Sequence, residues 1–131
     1  MRILIVEDDI DSSKILSHYL KQFGECDFAL DGKQAIECVK MAFEEDLPYD
    51  LICMDIMMPN LNGQEALRRI REIEQNKGIT IGQGAKIVMV SALSDHDNIM
   101  KSFLRLCDAY IVKPIDKDEL VEKLKEIELL N

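Results

Sequence analysis

Five times along this chain, a run of four or five mostly apolar residues is followed by a longer stretch whose apolar residues recur every three or four positions. The runs are Arg2 to Val6, Cys26 to Leu30, Asp50 to Met54, Lys86 to Val90 and Ala109 to Val112. A continuous apolar run this short suits a strand covered on both faces, as in a parallel sheet. The stretches between them carry helical stripes: Ile15, Leu16, Tyr19, Leu20 and Phe23; Ala35, Ile36, Val39 and Phe43; Ala66, Leu67, Ile70 and Ile73; Ile99, Met100, Phe103 and Leu104; Leu120, Val121, Leu124 and Ile127. Each marks one buried helix face. Punctuation agrees. Gly24 stands where a residue just past the first helix belongs, and Asp31-Gly32 makes a turn before the second. Asn62-x-x-Glu65, Ser94-x-x-Asp97 and Asp116-x-x-Glu119 resemble capping boxes for the last three. A crossover that re-enters a sheet in parallel must pass over one of its faces. The expected fold is therefore α/β, an open, doubly wound, flavodoxin-like sheet of five parallel strands in the order 2-1-3-4-5, with five helices on both faces.

The 131 residues, 47% of them hydrophobic, suffice for one domain burying roughly two-thirds of its unfolded surface. Sixteen basic against 25 acidic residues leave a net charge of −9, and no dense Lys/Arg run offers a footprint for nucleic acid. Direct nucleic-acid binding is disfavoured on that ground. The apolar stretch that opens at Ile3 breaks at Glu7, too short for a secretory core or a membrane span. Cys26, Cys38, Cys53 and Cys107 are widely spaced and form no CxxC pair, so they read as buried thiols in a reducing, cytoplasmic setting without membrane insertion. Asn76 to Gly84, with three glycines, reads as a tolerated surface loop before the fourth strand.

In doubly wound sheets the carboxyl ends of the strands form the ligand crevice. Strand one runs into Glu7, Asp8 and Asp9, strand three ends at Asp55, strand four at Ser91, and strand five runs into Lys113-Pro114. With strands one and three adjacent, Glu7, Asp8 and Asp55 share one pocket, where their mutual repulsion calls for a cation. Oxygen-only ligands point to Mg²⁺, with Mn²⁺ as the other candidate. Zinc is disfavoured, since the only histidines, His18 and His96, fall on helices away from the crevice. Asp9 reads as a solvated residue at the helix entrance. Mg²⁺ on few carboxylates completes its shell with phosphate oxygens, and Ser91 and Lys113 can supply a hydroxyl and a positive charge to the same phosphate. The stretch after strand one contains no glycine to cradle a nucleotide. Asp55 is then the better phosphate carrier, as a nucleophile that becomes an aspartyl phosphate.

Taken in order, ILIVEDD, LICMDIMMPNLNG, IVMVSA and AYIVKP resemble the receiver domain of two-component response regulators, over essentially the whole chain. The resemblance implies that Asp55 is the phosphoacceptor and Asp8 the principal direct Mg²⁺ ligand. It implies that Glu7 acts through water and that Met57 offers its backbone carbonyl. Ser91 would be the hydroxyl switch, Tyr110 the aromatic switch and Lys113 the phosphate-contacting lysine, with a cis peptide joining Lys113 to Pro114. A histidine kinase or phosphotransfer protein would donate the phosphoryl group. The surface of the fourth predicted helix, fifth strand and fifth predicted helix would carry the signal to a separate effector, or the domain would serve as a relay or sink. A single receiver domain over 1–131 without an output domain is expected. It would be no enzyme beyond its own phosphorylation and dephosphorylation. Met57 and Leu93 stand where the family tunes phosphoryl lifetime, and two apolar side chains there imply slow self-hydrolysis. Two rivals remain: an aspartate-nucleophile phosphohydrolase, which wants a second aspartate where Met57 stands, and an unphosphorylated interaction module.

Overall fold

The computed structural model describes residues 1–56, 62–80, 82–91 and 106–130, with Ser91 described by its backbone alone. Five parallel strands, β1 (Arg2–Val6), β2 (Glu25–Ala29), β3 (Leu51–Asp55), β4 (Lys86–Ser91) and β5 (Ala109–Val112), lie in the order 2-1-3-4-5. Among the described residues there are four helices, α1 (Ile10–Leu20), α2 (Gly32–Glu44), α3 (Gly63–Asn76) and α4 (Lys117–Glu126). The fourth expected helix, the Ser94 cap, His96, Leu93 and Met57 fall outside the described residues. No described helix is long and apolar enough to cross a membrane.

In β1 and β3 the apolar runs are continuous because strand side chains alternate between the two faces and both faces are covered, whereas β2, at the sheet edge, is mostly exposed, Phe28 and the following Leu30 included, against the expectation for that run. Leu4, Val6, Ile52, Met54, Ile87 and Met89 pack with Ala35, Ile36 and Val39 of α2 and Ala66, Leu67 and Ile70 of α3. Their neighbours in sequence, Ile3, Ile5, Leu51, Cys53 and Val88, pack with Leu16 and Leu20 of α1 and Leu120 and Leu124 of α4. Each such fully buried Leu or Ile contributes about 1.5–3 kcal/mol relative to exposure.

Several local expectations shift. Ile15 lies outside the buried face of α1 and is exposed. Phe43 and Ile73 pack only partly, and Ala42 is buried instead on α2. The Asn62 side chain does cap α3, accepting from the Glu65 amide at 2.9 Å. Asp116 precedes α4 without a side-chain capping bond. Gly24 lies beyond the end of α1, whose C-cap is Lys21. Its hydrogen is required for a different reason, because a Cβ there would collide with the Met1 carbonyl as the chain turns into β2. Of the four thiols, all free, Cys53 and Cys107 are buried, whereas Cys26 and Cys38 are only half-buried.

The glycine-rich loop is tied down rather than loose at its far end. Glu74, near the end of α3, is buried; it accepts from the Ala85 amide at 2.8 Å and from Arg71 Nη1 at 2.8 Å. Gly84 leaves room for that carboxylate, since a Cβ would run into it. Gly78 and Gly82 adopt φ of +81° and +88°, backbone conformations that glycine adopts without steric cost.

Candidate functional site

Parallel pairing brings the ends of four strands to one edge. Val6 lies opposite Met54, Asp55 opposite Val90, and Ser91 opposite Val112. The residues just past β1 and β5, and the last residue of β3, therefore converge although up to 106 positions separate them. The turn after β3 is held by two backbone bonds: the Ile56 amide donates to the Val90 carbonyl and the Gly63 amide to the Ile56 carbonyl, both at 3.0 Å. Gly63 matters there. A Cβ on it would collide with the Asp55 carbonyl, so α3 can start directly behind the site only with glycine at this position.

Glu7, Asp8 and Asp55 present carboxylate oxygens that all lie within 4.8 Å of one another. Glu7 is 2% exposed and Asp55 7% exposed, while Asp8 faces solvent. Lys113 reaches in from the end of β5, its Nζ donating to Glu7 Oε1 at 2.5 Å and to Asp55 Oδ2 at 3.3 Å. The peptide between Lys113 and Pro114 is cis. Glu7 Oε2 also accepts from the Asp9 amide at 3.3 Å, and Asp9 itself takes the Ser12 hydroxyl at 2.7 Å on the solvent side. Asp9 is thus a helix-entrance residue outside the acid cluster.

These contacts set the electrostatics. Burial, together with the nearby Asp55, pushes the Glu7 carboxyl above its ordinary value even though Lys113 pulls it down. Asp8 is also raised, by its limited burial and by Glu7. Burial disfavours the Lys113 ammonium, but Glu7 and Asp55 outweigh it and its pKa is raised. Three hard oxygen donors around one point, with one ammonium shared between the two buried ones, fit a Mg²⁺ or Mn²⁺ ion.

The structure therefore brings together Glu7, Asp8, Asp55 and Lys113. Ser91 ends β4 at the same edge by its backbone position. Tyr110 sits within β5 opposite Met89, half-buried against the α2–α3 side of the core. His18 is exposed on α1. Two features escape the sequence reading. Gly63 closes the LICMDIMMPNLNG stretch, but nothing in the sequence shows that the Asp55 carbonyl lies against it, and the pairing of Lys113 with Glu7 depends on side-chain reach across the sheet edge.

Comparison with known proteins points one way. A family model described as response regulator receiver domain matches residues 3–125. The chain is 34% identical to the chemotaxis protein CheY of Treponema pallidum over 128 residues, covering 96% of this chain and 81% of that protein. It is 35% identical over 132 residues to probable histidine kinase 2 of rice, covering 93% of this chain but only 12% of the kinase. The receiver domain of the Arabidopsis thaliana histidine kinase CKI1, solved with Mg²⁺ and BeF₃⁻, superposes with a TM-score of 0.81 at 28% identity, covering 98% of this chain and 90% of that one.

Proposed function

The chain belongs to the response regulator receiver family, and on that premise we propose that Asp55 accepts a phosphoryl group from a histidine kinase or phosphotransfer protein in a Mg²⁺-dependent step. The observation that carries this reading is the convergence of Glu7, Asp8, Asp55 and Lys113 at one sheet edge. An Asp55 oxygen attacks the phosphorus of the donor's phosphohistidine, the P–N bond breaks, and the imidazole leaves. Glu7, Asp8 and Asp55 would hold the cation, with the Met57 carbonyl as a further ligand. Bound there, a divalent ion offsets negative charge as the phosphoryl group arrives. Lys113, already 3.3 Å from Asp55 Oδ2, pairs with a phosphoryl oxygen, and the Ser91 hydroxyl donates to another.

The modified aspartate adds roughly −1.5 to −2 charges, by analogy with other phosphorylated side chains. Drawing Ser91 and Lys113 toward that charge, with Tyr110 refilling the vacated space, would alter the surface around β5 and α4 and bias a two-state domain. A separate effector would read that surface, or the domain would act as a relay or sink. A cytoplasmic setting suits such a partner. Beside the site, a groove lined by Ser12, Ile15, Tyr19, Lys113, Pro114 and Ile115 offers a partly apolar surface on which a donor could dock.

The test is an intact-mass measurement after incubation with Mg²⁺ and either a small phosphodonor or a competent kinase. A phosphate adduct on the wild type that is absent from Asp55→Asn is expected. No adduct with any donor would overturn the reading.

A further inference from the structure

Lys113 is closer to Glu7 than to the nucleophile, at 2.5 Å against 3.3 Å. Glu7 is held on its other side as well, where Oε2 accepts from the Asp9 amide. It is also almost wholly buried, so its charge has little water to rely on. A glutamate at position 7 carries its carboxylate one methylene further from the backbone than an aspartate would. That reach lets a residue at the end of β1 meet a lysine arriving from β5, two strands beyond β3.

We propose that Glu7 is a positioning residue for Lys113. In the cation-free site it anchors the ammonium and keeps it from settling fully on Asp55. Lysine and a divalent cation are then rivals for the Glu7 carboxylate, and occupation of the acids by the cation releases Lys113 toward the position of the phosphoryl group. The proposal rests on Asp55 as acceptor and on the acids as the cation site. It adds a role for Glu7 that a purely metal-binding acid would not have. Linkage makes the rivalry reciprocal: whatever factor Lys113 imposes on cation affinity, the cation imposes on the Glu7–Lys113 pair.

A double-mutant cycle on the full chain, with Mg²⁺ affinity read by titration calorimetry, separates the cases. Lys113→Met is expected to tighten Mg²⁺ about tenfold beside Glu7, and by less than about threefold in a Glu7→Gln background, an interaction within the range such cycles measure. Side-chain ¹⁵N spectra without metal give a readout independent of cation binding. The Lys113 ammonium signal should move more on Glu7→Asp, which keeps the charge but shortens the reach, than on Asp55→Asn. Equal tightening in both backgrounds, or a Lys113 signal that follows Asp55→Asn rather than Glu7→Asp, would overturn the proposal. A phosphate adduct on the wild type alongside an additive cycle would defeat the anchoring role alone. Non-additivity without any adduct would defeat the phosphoacceptor reading and leave the anchor standing.

Discussion

At Glu7, burial and the neighbouring Asp55 raise the folded-state pKa above the ordinary value of 4.5. A raised pKa means that the folded state binds the proton more tightly, so this residue's contribution to stability is fully present below about pH 4.5 and is lost as pH rises through the folded value. Without metal, Glu7→Gln should therefore melt at higher temperature than the wild type at pH 7, with the gap closing toward pH 4.5. Thermal scans in chelator at several pH values check this. An unchanged melting temperature at pH 7 would mean that the Lys113 pair fully offsets the burial of the charge. Gly63 shows the opposite kind of constraint, steric rather than electrostatic. Gly63→Ala drives a methyl group into the Asp55 carbonyl and should cost about 1–3 kcal/mol in urea unfolding, as overpacking typically does. A neutral result would show that α3 can back away from the site.

The helix α3 is anchored at both ends. At its start, Asn62 accepts from the Glu65 amide, so Asn62→Ala should lose about 1 kcal/mol. Asp116 occupies the same position before α4 but makes no such bond, and Asp116→Ala should lose clearly less. Chemical denaturation of the two variants side by side decides whether the cap bond or mere residue type matters. Toward its other end, Arg71 donates to the Leu106 and Ala85 carbonyls and to Glu74, each at 2.8 Å, and to Asp108 at 3.1 Å; Asp108 in turn accepts from the Ile87 amide. The helix is thereby clamped to the start of β4 and the lead into β5. Glu74→Ala takes away the acceptor of the Ala85 amide and one of several acceptors of Arg71, which keeps Asp108, and a loss of about 1–3 kcal/mol is expected. Retention of full stability would show that water takes over the carboxylate's place. The stripe Ala66, Ile70, Ile73 made α3 legible in the sequence, yet it also pointed at Glu74, four residues beyond Ile70. A charge in that row was the available sign of a buried ion pair with Arg71 one turn earlier, but its second donor, the Ala85 amide, lies beyond the glycine-rich loop where no helical spacing points.

For the whole molecule, a cation that binds the folded site alone stabilises by mass action, about 2.7 kcal/mol at a hundred times its dissociation constant. For a chain of 131 residues this corresponds to a rise of roughly 10 °C in melting temperature. Mg²⁺ should produce that rise in the wild type and much less of it in Asp8→Asn, as measured by calorimetry with and without chelator. An equal rise in the variant would place the cation elsewhere. The sequence by itself determined the parts that depend on local periodicity and chain direction. Short, mostly apolar runs form the strands, those inside the sheet covered on both faces, and the connections between them must return over the sheet. Acids, hydroxyl and lysine at strand ends consequently gather at one edge. The acid cluster was legible for that reason once a flavodoxin-like strand order was taken as the frame, and the likeness to receiver domains sharpened it. What only the tertiary structure decided are matters of reach and register. Ile15 is apolar and in phase with its helix stripe, but the sheet lies under Leu16 and Leu20. Gly63 must be glycine because a backbone carbonyl eight residues earlier lies against it. Lys113 could have met any of three acids; the geometry across two intervening strands, and one methylene of side chain, bring it closer to Glu7 than to Asp55.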